Sequence, residues 1–348
     1  MSSYQVWFED KSNNSMYPSH GNTAKIILFY QAYLMTVDVN NIDNLRTLGD
    51  FVRWFESTMR ASDLSYGQGF INPFDEAVYL VLNTLDLGVE LRPDYWSCNL
   101  TPPECQKLQG ILHQRIIEKV PSAYITGEAW FAGLPFIVDP SVLIPRSPFA
   151  ELVKNGFEPW LEFEPDTILE LCTGSGCIAI AAAEEFPFAD LLASDISVDA
   201  LAIAQQNVDR YEINDRLSLI ESDLFENIEG TFDLIITNPP YVPVSEVDAL
   251  ADEFHKEPRL GLDSGDDGMD IPLRIMAESA DYLSPNGLLF LEVGYTRRTM
   301  EEMLPQLQSV WITFENGGDG VVVCSRDELL AIKPVVLDLL QQRKIHVG

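Results

Sequence analysis

Positive charge is scarce in this chain. Lys and Arg number 22 against 54 Asp and Glu, a formal net charge of −32 over 348 residues. So acidic a surface repels a phosphate backbone, and direct nucleic-acid binding is not expected. A basic protein partner, or simple solubility, fits the charge better. Cysteine is sparse as well: Cys98, Cys105, Cys172, Cys177 and Cys324 do not make a disulfide framework in a chain this long. With only four histidines, no Cys/His cluster has zinc spacing, so no metal is expected. Long apolar runs are missing. Ile26-Ile27-Leu28-Phe29-Tyr30 is too short to span a bilayer, and no signal-peptide n-region precedes it. The expectation is a reducing cytoplasm and no membrane partner.

Hydrophobic residues make up 46% of the chain, enough for a large core or two domains. Residues 1–41 read as an N-terminal extension rich in Ser, Asn and Gly up to Gly21. Met35, ahead of the first clear helix, is a candidate start. Residues 42–127 read as a helical domain. Leu45, Leu48, Phe51, Phe55 and Met59 recur every three to four residues, with Trp54 beside them. Asn72 caps a second helix, with Pro73 at its first position and Asp75 and Glu76 in its first turn. A third helix is expected over about 102–120. From Ala129 to Pro145 the pattern is that of a β-hairpin, and 128–148 reads as a linker.

From Thr167 strands alternate with helices, which implies a mostly parallel α/β sheet in a domain over 149–330. Strands are expected at Ile168–Leu171, Leu191–Ser194, Ser218–Ile220, Asp233–Ile236, Gly287–Val293, Ser309–Phe314 and Val321–Cys324. The Gly-rich turn Asn316–Gly320 joins the last two in a hairpin. Residues 331–348 read as a helical tail.

The most constrained stretch is Thr237-Asn238-Pro239-Pro240-Tyr241, directly after a strand. Each proline fixes its own φ and removes an N–H, and Pro240 also restricts Pro239. The carbonyls of Asn238 and Pro239, with the Asn238 side-chain oxygen, make a rigid acceptor notch suited to a planar NH2 group. Tyr241 offers a face for a flat substrate. Such a notch answers a chemical problem. An amide nitrogen is a poor nucleophile because its lone pair is delocalised, and two acceptors on its hydrogens hold it in line with an electrophile.

Three acids stand at the ends of three preceding strands. Glu170 comes before Thr173-Gly174-Ser175-Gly176, whose glycines let backbone approach a ligand closely. The loop lacks both the third glycine of a dinucleotide fingerprint and the lysine of a phosphate loop. An acid ahead of the glycines favours a cofactor bearing an ammonium. Asp195 could accept both ribose hydroxyls, and Asp223 an adenine amino group. Ligands of open α/β sheets bind at strand carboxyl ends. Glu170, Asp195, Asp223 and Asn238 together describe S-adenosylmethionine in front of a methyl acceptor.

This order of acid, Gly-x-Gly, Asp, Asp and Asn-Pro-Pro-Tyr resembles the class I S-adenosylmethionine-dependent methyltransferases, and specifically the HemK-like protein glutamine methyltransferases. Leu143-Ile144-Pro145-Arg146-Ser147-Pro148-Phe149-Ala150-Glu151-Leu152 is similar to the ribosomal-protein (PrmB) branch, where the release-factor (PrmC) branch reads Arg-Pro-Asp/Glu-Thr-Glu. Asn72–Ala77, His255–Pro258, Gly261–Gly265 and Phe314–Val321 resemble that branch too. The resemblance covers roughly Asn44 to Leu330. It implies a Rossmann-like, mostly parallel seven-stranded sheet, and a small helical domain that recognises the substrate, joined by a β-hairpin. It also implies methylation of a glutamine side-chain amide in large-subunit ribosomal protein L-three (uL3). Glu170, Thr173, Gly174, Gly176, Asp195, Asp223 and Asn238 would then hold the cofactor. Asn238, Pro239 and Tyr241 would be catalytic, with Pro240 completing the substrate notch. Cys172 stands where the family usually has glycine.

Three rivals remain open on the residues. The same notch serves the glutamine of release factors and the N(6) nitrogen of adenine in nucleic acid. A non-catalytic assembly factor that binds the cofactor is the third. The acids between Glu246 and Asp270 outnumber Lys256 and Arg259, so this loop either steers a basic partner or is simply solvated.

Overall fold

The computed structural model describes residues 42–88 and 90–345, so the expected extension 1–41 and its candidate start lie outside the described residues. Two compact units divide at Gly127.

The first unit is helical. It contains α1 (Leu48–Ala61), α2 (Pro73–Thr84), α3 (Pro102–Ile116) and the short α4 (Ser122–Thr126). Thr47 and Asp50 exchange bonds in a capping box at the start of α1. Asn72 caps α2 through the Asp75 N–H, with Pro73 at the first position, as the sequence indicates. The stripe Leu48, Phe51, Phe55 and Met59 is fully buried against Leu80, Leu108 and Leu112. α3 stops earlier than the sequence suggests. Lys119 takes a left-handed φ of 57°, which an L-residue adopts only at a turn, and α4 follows.

The second unit opens with the hairpin β1 (Glu128–Phe131) and β2 (Leu134–Ile137), then α5 (Phe149–Lys154). Rather than standing apart as a linker, the hairpin packs into this unit's core through Phe131 and Phe136. The sheet comprises β3 (Thr167–Leu171), β4 (Asp190–Asp195), β5 (Leu217–Glu221), β6 (Phe232–Thr237), β7 (Leu283–Glu292), β8 (Val310–Trp311) and β9 (Val321–Ser325). Its order is β5-β4-β3-β6-β7-β9-β8. β3 to β7 run parallel, whereas β9 lies antiparallel between β7 and β8. The helices are α6 (Cys177–Glu185), α7 (Val198–Arg210), the short α8 (Val244–Val247), α9 (Asp270–Tyr282), α10 (Arg297–Met303) and α11 (Arg326–Arg343).

Both faces of the sheet are covered, so its central strands can be apolar throughout. Ile168, Leu234, Ile236 and Phe290 face a layer with α5, α6 and the hairpin. Leu169, Leu171, Ile235, Leu289 and Leu291 face the layer of α9 and α11. Burying each such side chain contributes roughly 1.5–3 kcal/mol. α11 begins at Arg326, capped by Ser325 and Glu328, and buries Leu329, Ile332, Val336 and Leu340 in that second layer. The helix expected as a tail from 331 therefore begins earlier, at Arg326, and is part of the core. Strand β8 is only Val310–Trp311, shorter than Ser309–Phe314. Strand β7 begins directly after α9, at Leu283.

The chain runs outward from β3 to β5, then returns to β6 on the other side of β3. That reversal opens a crevice at the carboxyl ends of the strands, where open α/β sheets bind ligands.

Candidate active site

A cavity of ≈ 240 Å3 occupies this crevice. The structure brings Glu170, Thr173, Gly174, Asp195, Asp223, Asn238 and Pro240 to its wall, together with Cys172. Gly176, Pro239 and Tyr241 are not in that wall.

Glu170, inside β3, is almost completely buried. Its Oε2 accepts from the Thr173 hydroxyl at 2.5 Å and from the Ala179 N–H at 2.9 Å. Burial pushes its carboxyl up to about 8, against those two bonds. Thr173 therefore spends its hydroxyl proton on Glu170, while its oxygen can still accept from a ligand at the wall. Cys172, Gly174 and Gly176 have φ of 58°, 56° and 78°, a left-handed run that turns the chain from β3 into α6. A Cβ on Gly174 would meet nothing within 4 Å, so its backbone lies open on the ligand side. One on Gly176 would sit in ordinary contact with Ala204 and Ile180 at 3.4 Å, so it is its φ that calls for glycine there, and it faces packed side chains.

Asp195 ends β4. Its Oδ2 accepts from the Gly174 N–H at 2.8 Å and its Oδ1 from the Ser197 N–H at 2.9 Å. Burial raises its pKa in spite of these bonds. Each oxygen keeps a second lone pair for a ligand hydroxyl. Asp223 follows β5. Its Oδ1 accepts from Arg274 Nη1 of α9 at 2.9 Å, a partner that sequence reasoning missed.

Asn238 is half-buried and its amide bonds to no described residue. Pro239 is buried behind the wall and Pro240 is in it. Tyr241 has no free hydroxyl. It donates to Glu292 Oε1 at 3.1 Å, and its ring meets Tyr295 edge-on at 6.3 Å. Gly294, at φ 50°, lies against that ring, and a Cβ there would meet Tyr241 Cε2 at 2.7 Å.

Several contributing residues went unread in the sequence. Glu292 is the acid at the carboxyl end of β7, the same kind of position as Asp195 on β4, and that parallel was its available signal. Arg146 pairs with Glu257 at 2.7 Å, and Glu257 also accepts from the Ile144 N–H. Asn207, fully buried on α7, donates to the carbonyls of Ser175 and Ile137, tying the hairpin to the glycine loop. The loop after the notch is also more ordered than its composition suggests. Val242 bonds to Leu262 and Ser264, while Asp248 and Asp263 pair with Arg259, and Asp267 and Asp270 with Arg343. Among the described residues no acid, Cys or His group could hold a metal, and no helix is long and apolar enough to cross a membrane.

The family described as "Methyltransferase small domain" matches residues 159–266. That span runs from just before β3 through the glycine loop and the notch. A ribosomal protein uL3 glutamine methyltransferase of Francisella tularensis is 42% identical over 295 residues, 84% of this chain and 94% of that protein. The chain belongs to the family of the ribosomal protein uL3 glutamine methyltransferases. A second relative of that name, from Xanthomonas campestris, is 43% identical over 303 residues, covering 86% of this chain and 98% of its own length. Membership in this methyltransferase family agrees with the sheet order, and with the cavity at the carboxyl ends of β3, β4 and β5.

Proposed function

We propose that this protein transfers a methyl group from S-adenosylmethionine to the side-chain amide nitrogen of a glutamine in ribosomal protein uL3. The observation that carries the reading is Asn238, an amide without a described partner in the wall of a cavity lined by three strand-end carboxylates. Those residues suit the cofactor: the ammonium, the ribose diol and the adenine amino group are all donors, and Glu170, Asp195 and Asp223 are acceptors. The open left-handed backbone at Gly174 leaves room for close approach. When bound, the cofactor supplies an electrophilic methyl on a sulfonium.

The chain's own residues do the rest. Asn238 Oδ1 and the Pro239 carbonyl accept the two N–H groups of the glutamine amide and aim its nitrogen. Pro240 closes the notch, and Tyr241, held by Glu292, sets where the loop leaves β6. No strong base is required, because the methylated amide can lose its proton to solvent. A reducing cytoplasm is where such a substrate would be met.

Purified protein, S-adenosylmethionine and recombinant uL3 test the reading. The expected product is uL3 heavier by one methyl, on one glutamine, with no transfer by Asn238→Ala. Transfer to a release-factor glutamine and not to uL3 would move the substrate to the other branch. Methylated adenine would replace the protein reading altogether, and cofactor binding without any transfer would point to a non-catalytic role.

A further inference from the structure

We propose that Glu292 is a positioning residue for this transfer, fixing the Asn238–Tyr241 loop against the Ile144–Ser147 wall of the cavity. The inference rests on the reading of Asn238 given above. Glu292 is the last residue of β7 and is 4% exposed. β7 lies beside β6, whose next residues are the notch, and Thr237 of β6 stands opposite Leu291. Glu292 Oε1 accepts from the Tyr241 hydroxyl at 3.1 Å. Its Oε2 accepts from the Ser147 hydroxyl at 2.5 Å, and Ser147 Oγ in turn accepts from the Phe149 N–H at the start of α5. One buried carboxylate thus ties together two segments that line the same cavity, one through Tyr241 next to Pro240, the other through Ser147.

A buried carboxylate is expensive unless fully bonded, and an apolar residue of similar volume would pack there at less cost. The nearby cation does not form an ion pair with it: Arg146 directs its guanidinium to Glu257. Two hydroxyls donate to it, one from each segment, and Arg146 favours its ionised form without a direct bond. The groups facing it are Tyr241 from the notch and Ser147 and Arg146 from the segment before α5, with Tyr295 behind Tyr241 and bonded to Glu246. Burial lifts the Glu292 carboxyl to about 7, opposed by the two hydroxyl bonds and by Arg146. A proton there turns one oxygen into a donor, so one of the two hydroxyl contacts reverses direction or weakens.

Glu292→Gln, Tyr241→Phe, their double variant and Ser147→Ala test this, each assayed for kcat on uL3, affinity for S-adenosylhomocysteine and Tm. Each single variant should lower kcat about tenfold while cofactor-product affinity stays within about threefold, and the double variant should be no worse than either single one. In the parent enzyme kcat should rise from about pH 6 to about pH 8, and Glu292→Gln should lose that limb. Additive losses would overturn the inference, as would an unchanged kcat or a pH limb that persists in Glu292→Gln. A fall of Tm, affinity and kcat together would make Glu292 structural only. Ser147→Ala keeps the carboxylate and decides the matter if Glu292→Gln does not fold. An active Asn238→Ala enzyme would instead sink the reading of the notch, whatever Glu292 does.

Discussion

Arg274 of α9 meets Asp223, just past β5, at 2.9 Å on the wall of the cavity, across 51 positions of sequence. The pair changes what Asp223 is. Alone it would be a bare carboxylate facing a ligand; with Arg274 on Oδ1 it is an oriented acceptor whose charge is balanced. Arg274 Nε is buried without a partner, which adds to the cost of keeping the guanidinium in this place.

Replacing Arg274 by Met should therefore weaken S-adenosylhomocysteine binding about tenfold, roughly 1.4 kcal/mol. Overall stability should change by no more than about 1 kcal/mol, since Asp223 is partly exposed and such pairs contribute little. Calorimetry and thermal melts on the same preparation separate the two effects. Unchanged affinity would mean that Asp223 needs no orientation.

Asn238→Ala should reduce kcat by about a hundredfold or more, the scale seen when one preorganised polar group is removed from a reacting centre. Affinity for S-adenosylhomocysteine should hold, because Glu170, Asp195 and Asp223 remain. Single-turnover kinetics with labelled cofactor would show the difference. Affinity and rate falling in parallel would make Asn238 a cofactor ligand first.

Glu170 carries a pH signature. Burial lifts its pKa from 4.5 to about 8, so folding favours its protonated form. Its stabilising contribution is complete below 4.5 and is lost as pH rises through about 8. An ammonium docking beside it would favour the ionised carboxylate, so binding near pH 7 should release a proton. Calorimetry in buffers of different ionisation enthalpy counts that proton. Glu170→Gln should abolish the release, weaken binding, and raise Tm relative to the parent above about pH 8. Equal proton counts in both proteins would place the ammonium elsewhere.

The helical unit has its own vulnerable point. Arg115 Nε and Glu76 Oε1 lie 2.6 Å apart with both side chains 3% exposed, and Ser122 donates to the same oxygen. Glu76→Ala would take from the buried guanidinium its carboxylate, leaving it neutral contacts such as the Ser65 carbonyl, at a cost of about 3–5 kcal/mol. Urea melts should show the helical unit unfolding at markedly lower denaturant. A double variant of Glu76→Ala with Arg115→Met should recover part of that loss, because no unpaired charge is left buried.

How legible the protein was depended on the range of the interaction. Local signals read true. Asn72 caps α2, the stripe Leu48 to Met59 is buried, and runs such as Ile168–Leu171 are central strands. Capping, periodicity and left-handed glycine turns are set within a few residues, so the chain displays them directly. Boundaries were less legible. The start of α11 at Arg326 and the end of α3 at Ile116 depend on packing partners as much as on propensity.

The amino-acid sequence by itself determined which residues could accept: Glu170, Asp195 and Asp223 at strand ends, and Asn238 in a proline-stiffened notch. Only the tertiary structure decided how each is used. It gave Arg274 to Asp223, moved Tyr241 out of the cavity wall and joined it through Glu292 to Ser147. The reason is physical. Whether a carboxylate is free, paired or shared depends on which donors the fold brings within about 3 Å, and those donors lie far away in the chain.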